Sequence, residues 1–170
     1  MNLVIHFSKR LERTSVPIEP QDFVVRTFDS PEDVDGWLEL RRQAFADERP
    51  RAGVWTPGDF AREFTSKAWW RSDHMWVAES RDSAEGDRAL AGAVTMATRG
   101  EGDHRVAIVH WLIVSPQARR RGLATRLLSI LEAAAWQAEI RRVLVETHTG
   151  WQAATRFYQS RGYERLPRAK

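Results

Sequence analysis

The sequence predicts a mixed α/β domain, with a central, mixed but mostly antiparallel sheet flanked by helices on both faces. Three observations carry this. Behind a short N-terminal arm, segments of strand and helix periodicity follow in the order strand, two helices, three strands, helix, strand, helix, strand. The stretch Val106–Val114 is apolar on both alternating faces, with Val106, Ile108, Leu112 and Val114 on one and Ala107, Val109, Trp111 and Ile113 on the other, so it belongs in the middle of a sheet covered on both sides. Two helix-start signals, Ser30-Pro31-Glu32-Asp33 and Thr56-Pro57-Gly58-Asp59, combine an N-cap residue, a first-turn proline and acids facing the helix dipole.

Taken in order, Leu3, Ile5 and Phe7 alternate with Asn2, Val4 and His6, which predicts an added edge strand, followed by a polar, turn-like Lys9–Arg13. Pro17–Pro20 detaches this arm, giving residues 1–20 as an arm and 21–170 as one domain. Asp22–Phe28 is the next strand. Val34, Trp37, Leu38, Arg41 and Phe45 form the inward stripe of the first helix, and Phe60, Phe64 and Ala68 that of the second. Met75–Ser80, Ala89–Met96 and Arg105–Val114 make an antiparallel meander turning at Arg81–Arg88 and Arg99–His104. A long helix from about Arg120 to Glu139 carries Leu123, Leu127, Ile130, Leu131, Ala134 and Ala138 on one stripe, with Trp136 off it. Arg142–Thr147 is a short strand, Trp151–Ser160 a short helix, and Gly162-Tyr163 starts the last strand.

Composition narrows the function. A chain of 170 residues with 42% hydrophobic and 29% charged residues has the make-up of one globular domain. No apolar run approaches the roughly 20 residues that span a bilayer, and the N-terminus lacks a signal-peptide pattern, which predicts a cytoplasmic protein with no membrane partner. With no cysteine and five histidines without paired ligand spacing, neither disulfide, thiolate nor metal chemistry is expected. The formal charge of +3 and the clusters Arg119-Arg120-Arg121 and Arg141-Arg142 suit a small anion; no interleaved aromatic and basic face predicts nucleic-acid binding. The strand-forming arm suggests a homodimer.

The turn from the doubly apolar strand into the long helix reads Gln117-Ala118-Arg119-Arg120-Arg121-Gly122-Leu123-Ala124. A helix N-terminus offers unpaired N–H groups and about half a positive charge, so an anion is stabilised there. Gly122 lets a large anion approach the backbone, Ala124 keeps the next turn narrow, and the arginines add charge; a pyrophosphate fits.

The segment Leu112–Ala124 resembles the acetyl-coenzyme A motif of the GNAT superfamily of N-acetyltransferases, and Ala154-Thr155-Arg156-Phe157-Tyr158-Gln159-Ser160-Arg161-Gly162-Tyr163 resembles its second motif. The element order from Asp22 to Tyr163 resembles that fold too. The resemblance implies acetyl-coenzyme A as cosubstrate, with backbone groups of Leu112, Ile113 and Val114 pairing with the pantetheine arm. It implies that Arg119, Arg120, Arg121, Gly122, Leu123, Ala124 and Thr125 hold the pyrophosphate, and that Tyr158 points at the sulfur. Two departures stand out: Trp151 occupies a position where the family often has asparagine, and little chain follows Tyr163 to form the hairpin that closes many of these sheets, a place the N-terminal arm would take.

Direct transfer of an acetyl group to a primary amine, from a small molecule or peptide, needs a base for the ammonium proton and an acid for the leaving thiolate. Tyr158 is the expected acid. His110 is the expected base, being ionisable in an otherwise apolar strand and set on the face of Ile108 and Leu112; Glu146 and His148 compete with it. The acceptor site is expected among Trp37, Phe45, Trp55, Phe60, Phe64, Trp69 and Trp70, residues otherwise suited to a core, with Asp47, Glu48 and Asp59 as acids for a cationic amine. The alternative is a non-catalytic acyl-coenzyme A sensor, a reading that Trp151 favours and Tyr158 opposes.

Overall fold

Ile5 and Phe7 are buried while Val4 and His6 are exposed, the period-two pattern the arm predicts, and the segment forms strand β1 (Val4–Arg10). The computed structural model describes residues 3–12, 22–29, 31–46, 53–81 and 89–167. After β1 come β2 (Phe23–Thr27), α1 (Glu32–Ala44), α2 (Pro57–Glu63), β3 (Met75–Ser80), β4 (Leu90–Arg99), β5 (Val106–Val114), α3 (Leu123–Gln137), β6 (Arg142–His148), α4 (Gln152–Ser160) and β7 (Glu164–Arg165). All seven strands share one sheet in the order β2-β3-β4-β5-β6-β1-β7, antiparallel except where β5 meets β6.

Helices cover the sheet unequally. On one face α3 supplies Leu123, Leu127, Leu128 and Leu131 and α4 supplies Tyr158, packing on Phe7, Met96, Val143 and Val145. On the other, Trp37 and Leu40 of α1 and Phe60 and Phe64 at α2 pack on Met75, Val77, Ala93 and Ile113. The inward face of α1 is therefore Asp33, Trp37, Leu40, Arg41 and Ala44, with Val34, Leu38 and Phe45 only at its margin. Helix α2 starts as its sequence predicts, with Thr56 and Asp59 in a reciprocal capping box. Ser30, the Pro17–Pro20 connector and most of the turn Arg81–Arg88 lie outside the described residues.

Strand β1 is not an edge. It lies between β6 and β7, aligned with β6 from Val4–His148 to Arg10–Arg142 and with β7 through Phe7 and Ser8. Lys9 and Arg10, expected in a turn, continue the strand. Lys9 Nζ reaches both carboxylate oxygens of buried Glu132 at 2.9 Å, and Tyr163 donates its hydroxyl to Glu132 Oε1 at 3.0 Å, tying β1 to α3 and to the segment after α4. Phe7 is fully buried, and truncating such a ring costs about 3–5 kcal/mol, a large share of the roughly 5–15 kcal/mol that holds a domain folded. Amides of β1 facing β6 are accordingly expected to exchange as slowly as those of β6 itself; rapid exchange throughout residues 4–10 would contradict this placement.

Strand β5 carries the feature that shapes the molecule. Its register with β4 shifts between Ala93–Ile113 and Thr95–His110, leaving Val94 opposite both Trp111 and Leu112, and Trp111 has φ 54°. This is a β-bulge, which bends and twists its strand. It also reverses the alternation: Leu112 and Val114 join Ala107 and Val109 on the α3 side, while Trp111 and Ile113 face α1 and α2. His110, against Phe64 and Trp69, shares the face of Trp111, not that of Leu112 as strict alternation predicts. Ladder pairing of β5 with β6 runs only from Ala107–Val143 to Val109–Val145; beyond it β5 stays with β4 and β6 with β1, and a wedge opens between them.

Candidate active site

The backbone of Leu112–Val114 forms one wall of the wedge, where β6 no longer supplies partners. The chain then passes through a 3-10 turn (Pro116–Ala118) into Arg119–Gly122, which is not helical as the sequence suggests, because Arg120 has φ 62° and Gly122 φ 81°. Helix α3 begins at Leu123, and its first internal backbone bond runs from Arg126 N to Gly122 O at 3.0 Å. The N–H groups of Leu123, Ala124 and Thr125 therefore lack helical acceptors, and Gly122 offers no side chain to cap them. A Cβ at Gly122 would meet nothing within 4 Å: glycine is required here by its positive φ, and the space before the helix is open.

The three arginines separate. Arg119 donates to the Ala44 carbonyl at 2.9 Å, fastening the end of α1 to the turn, and Arg121 bonds Asp22 at 2.6 Å and lies over the Phe23 ring at 4.8 Å. Arg120 and Arg119 line the groove that runs along Leu112–Val114 and Ala124 to Ala153, Ala154, Phe157 and Tyr158, a hollow of about 890 Å³. An uncapped helix end, an unpaired strand edge and an apolar floor fit a long molecule with a pyrophosphate at one end and an uncharged, amide-bearing arm.

Tyr158 stands where this groove meets a second cleft. It is buried, its ring packs on Phe157 and Tyr163, and burial pushes its phenol above the ordinary value, so it stays protonated. Phe45, Leu112, Ile113, Trp151, Ala154 and Tyr158 line both hollows. The second cleft, about 410 Å³, also takes Val4, Glu63, His110, Trp111, Glu146 and His148. His110 is held among aromatic rings, 5.5 Å from Phe64 and 5.1 Å from Trp69, and burial lowers its pKa from the ordinary histidine value, with the Glu63 carboxylate opposing. Its Nε2 lies 3.0 Å from Glu63 Oε1, which also accepts a hydrogen bond from Trp111 Nε1 at 2.8 Å. Holding a bulky residue at positive φ costs about 1–3 kcal/mol, and Trp111 is kept there by that bond and by the rings of Trp37 and Trp55 at 5.6 and 5.2 Å.

The other expected residues divide between site and scaffold. Glu146 is exposed and pairs with His6 at 3.4 Å, while the His148 ring meets Trp151 edge-on at 5.0 Å; both reach the cleft. Trp151, in the place of an asparagine, forms a wall with Phe45 at 5.6 Å. Trp37, Phe60 and Phe64 are core; Phe45 reaches the cleft. Asp59 is absorbed by its helix cap and by Arg62, and Asp47 and Glu48 lie outside the described residues. Glu63 was not foreseen. Its signal was an acid three residues after Phe60 and beside Phe64, on the inward side of α2, where a carboxylate without purpose is costly.

The model of the acetyltransferase (GNAT) family matches residues 34–163. The chain is 28% identical over 150 residues to the mycothiol acetyltransferase of Acidothermus cellulolyticus, covering 85% of this chain and 45% of that protein. It is 30% identical over 148 residues to that of Geodermatophilus obscurus, covering 86% and 46%. The chain thus spans about half the length of the curated relatives it matches. Among solved structures, a GCN5-related N-acetyltransferase from Sphaerobacter thermophilus superposes with a TM-score of 0.73 at 18% identity, over 96% of this chain and 48% of that one. The aminoglycoside N-acetyltransferase AAC(6')-Iy in complex with coenzyme A does so with 0.64 at 17% identity, over 87% and 91%.

Proposed function

The chain belongs to the acetyltransferase (GNAT) family, and from that premise we propose that it moves an acetyl group from acetyl-coenzyme A directly to a primary amine, with Tyr158 as general acid and His110, supported by Glu63, as base. The observation that carries this is the meeting of two hollows at Tyr158: a long groove with an open helix N-terminus, and a cleft with a histidine–carboxylate pair. Two of the relatives the chain matches are named mycothiol acetyltransferase, and a small amine is the acceptor class that a cleft of about 410 Å³ accommodates.

Acetyl-coenzyme A, when bound, supplies a thioester whose carbonyl carbon is open to attack by an amine. Leu112–Val114 would offer their unpaired backbone groups to the pantetheine, and the N–H groups from Arg119 to Thr125 would hold the pyrophosphate. His110, with Nε2 toward Glu63, keeps Nδ1 as its basic nitrogen and takes the proton that the amine sheds; Glu63 then faces an imidazolium. Tyr158 gives its phenolic proton to the departing sulfur, and solvent restores it. A phenol held above its ordinary pKa remains a donor throughout the working range.

Free thiol release from acetyl-coenzyme A across a panel of amines tests the reading; release that no amine stimulates would favour a sensor. The base has its own signature. Because burial depresses His110, kcat/KM for an acceptor that stays neutral over the range should rise through a limb below the ordinary histidine value of about 6.5 and be flat above it. Glu63→Gln removes the carboxylate that opposes this depression, so the limb should move to still lower pH and the plateau should fall about tenfold or more. A limb that neither Glu63→Gln nor His110→Ala alters would remove the pair from the mechanism.

A further inference from the structure

Strands β6 and β1 bury one face under α3 and α4, where Val143, Val145, Ile5 and Phe7 lie, and leave the other uncovered. On that open face the cross-strand pairs run Val4–His148, His6–Glu146, Ser8–Leu144 and Arg10–Arg142, with Ile108 of β5 beside Leu144. The upper end is the cleft itself, since Val4, Glu146 and His148 line it together with His110. The lower end sets two arginines directly opposite each other, an arrangement that destabilises a sheet when nothing lies between the charges.

Asp103 and Glu164 line the same hollow as these arginines, but among the described residues neither acid is paired with them. Arg142 Nε donates to Ser8 Oγ at 2.9 Å, and among the described residues neither Arg10 nor Arg142 forms an ion pair. Arg105, Arg141 and Arg165 line the same hollow of about 750 Å³ and likewise have no carboxylate partner; Arg105 and Arg141 are held by backbone carbonyls at the end of α3. Elsewhere Arg26, Arg42, Arg62, Arg71 and Arg121 are each matched to an acid. Arg10 and Arg142, adjacent on one concavity and bonded to no carboxylate, offer what recognition of a carboxylate or phosphate requires.

We propose that the open face of β6 and β1 is a track for the acceptor, and that Arg10 and Arg142 hold an anionic group of the acceptor, a carboxylate or a phosphate, remote from its reacting amine. This rests on the acetyl-transfer reading and adds the acceptor's second charge. Glu146, which lines the cleft with His110, stands four positions from Arg142 along β6, so at about 3.3 Å per residue the anion sits roughly 13 Å from the cleft in which the amine reacts. The acceptor class is therefore an elongated amino acid, short peptide or amino-phosphate, and not a compact monoamine.

Tetraglycine spans about 13 Å when extended, and its C-terminal amide differs only in lacking the charge. Calorimetric titration of the chain with tetraglycine, tetraglycinamide and diglycine should show tetraglycine bound about tenfold or more tighter than its amide, and diglycine with no such advantage. The preference should fall toward one in Arg10→Gln/Arg142→Gln, whose melting temperature should hold or rise because a like-charge pair is gone. An aminoalkyl phosphate of the same span, titrated alongside, identifies the preferred anion by its affinity relative to tetraglycine. Equal binding of tetraglycine and its amide, a preference that survives the double substitution, or no measurable binding by either anionic probe would overturn the proposal. Thiol release stimulated by a neutral-tailed amine would in those cases leave acetyl transfer standing, so the two readings fail separately.

Discussion

Gly122→Glu should abolish acetyl-coenzyme A binding, with affinity reduced at least a hundredfold on a chain that still folds. The residue precedes the first turn of α3 with φ 81°, and a Cβ there meets no atom within 4 Å, so the folded state has room for the new side chain. Its strain is that of a left-handed non-glycine residue, about 1–2 kcal/mol, small against the stability of a domain. The carboxylate, however, would take the unpaired N–H groups of Leu123–Thr125 as its own partners and place a negative charge where a pyrophosphate must lie. Gly122→Ala carries the same backbone strain without the charge and should lose much less. Calorimetry with acetyl-coenzyme A, on variants whose circular dichroism matches the parent, decides the matter. Unchanged affinity in Gly122→Glu would remove the helix end from the binding site.

Tyr158→Phe should lower turnover about ten- to a thousandfold, equivalent to roughly 1.4–4 kcal/mol of transition-state stabilisation, while affinity for acetyl-coenzyme A changes little. The ring is buried at the junction of groove and cleft, packed on Phe157 and Tyr163, and phenylalanine keeps that packing. What disappears is the phenolic proton that the proposed mechanism gives to the sulfur. Because burial holds the phenol above its ordinary pKa, the parent should show no loss of rate from Tyr158 ionisation near neutral pH, nor at a pH where a free tyrosine would begin to ionise. A donor poorer than the phenol should be rescued by an acetyl donor with a more acidic thiol, so the Tyr158→Phe defect should shrink with such a thioester. Wild-type turnover in the variant would exclude the acid role even with the family assignment intact.

The residues whose placement the sequence determined by itself are those governed by local rules. Alternation predicted β1 and the doubly covered β5, the Thr56–Asp59 box predicted the start of α2, and Gly122 marked the turn into α3, since caps, periodicity and positive φ are read within a few residues. Tertiary structure decided the rest. Strand β1 fills the interior of the sheet because β6 offers it a full antiparallel edge and Glu132 receives Lys9, partners more than a hundred residues away. The sides taken by His110 and Leu112 depend on one extra residue in β5, a bulge fixed by an indole bond to Glu63 that no alternation reveals. Glu63 and His110 come from separate elements and meet only because α2 packs its aromatic side on β5, and Arg10 faces Arg142 only through strand register. The pKa of His110 is set first by its burial, which lowers it, and then by an opposing carboxylate 3.0 Å away on another element, which is why a linear pattern carries the scaffold and only the folded molecule sets the surroundings of these groups.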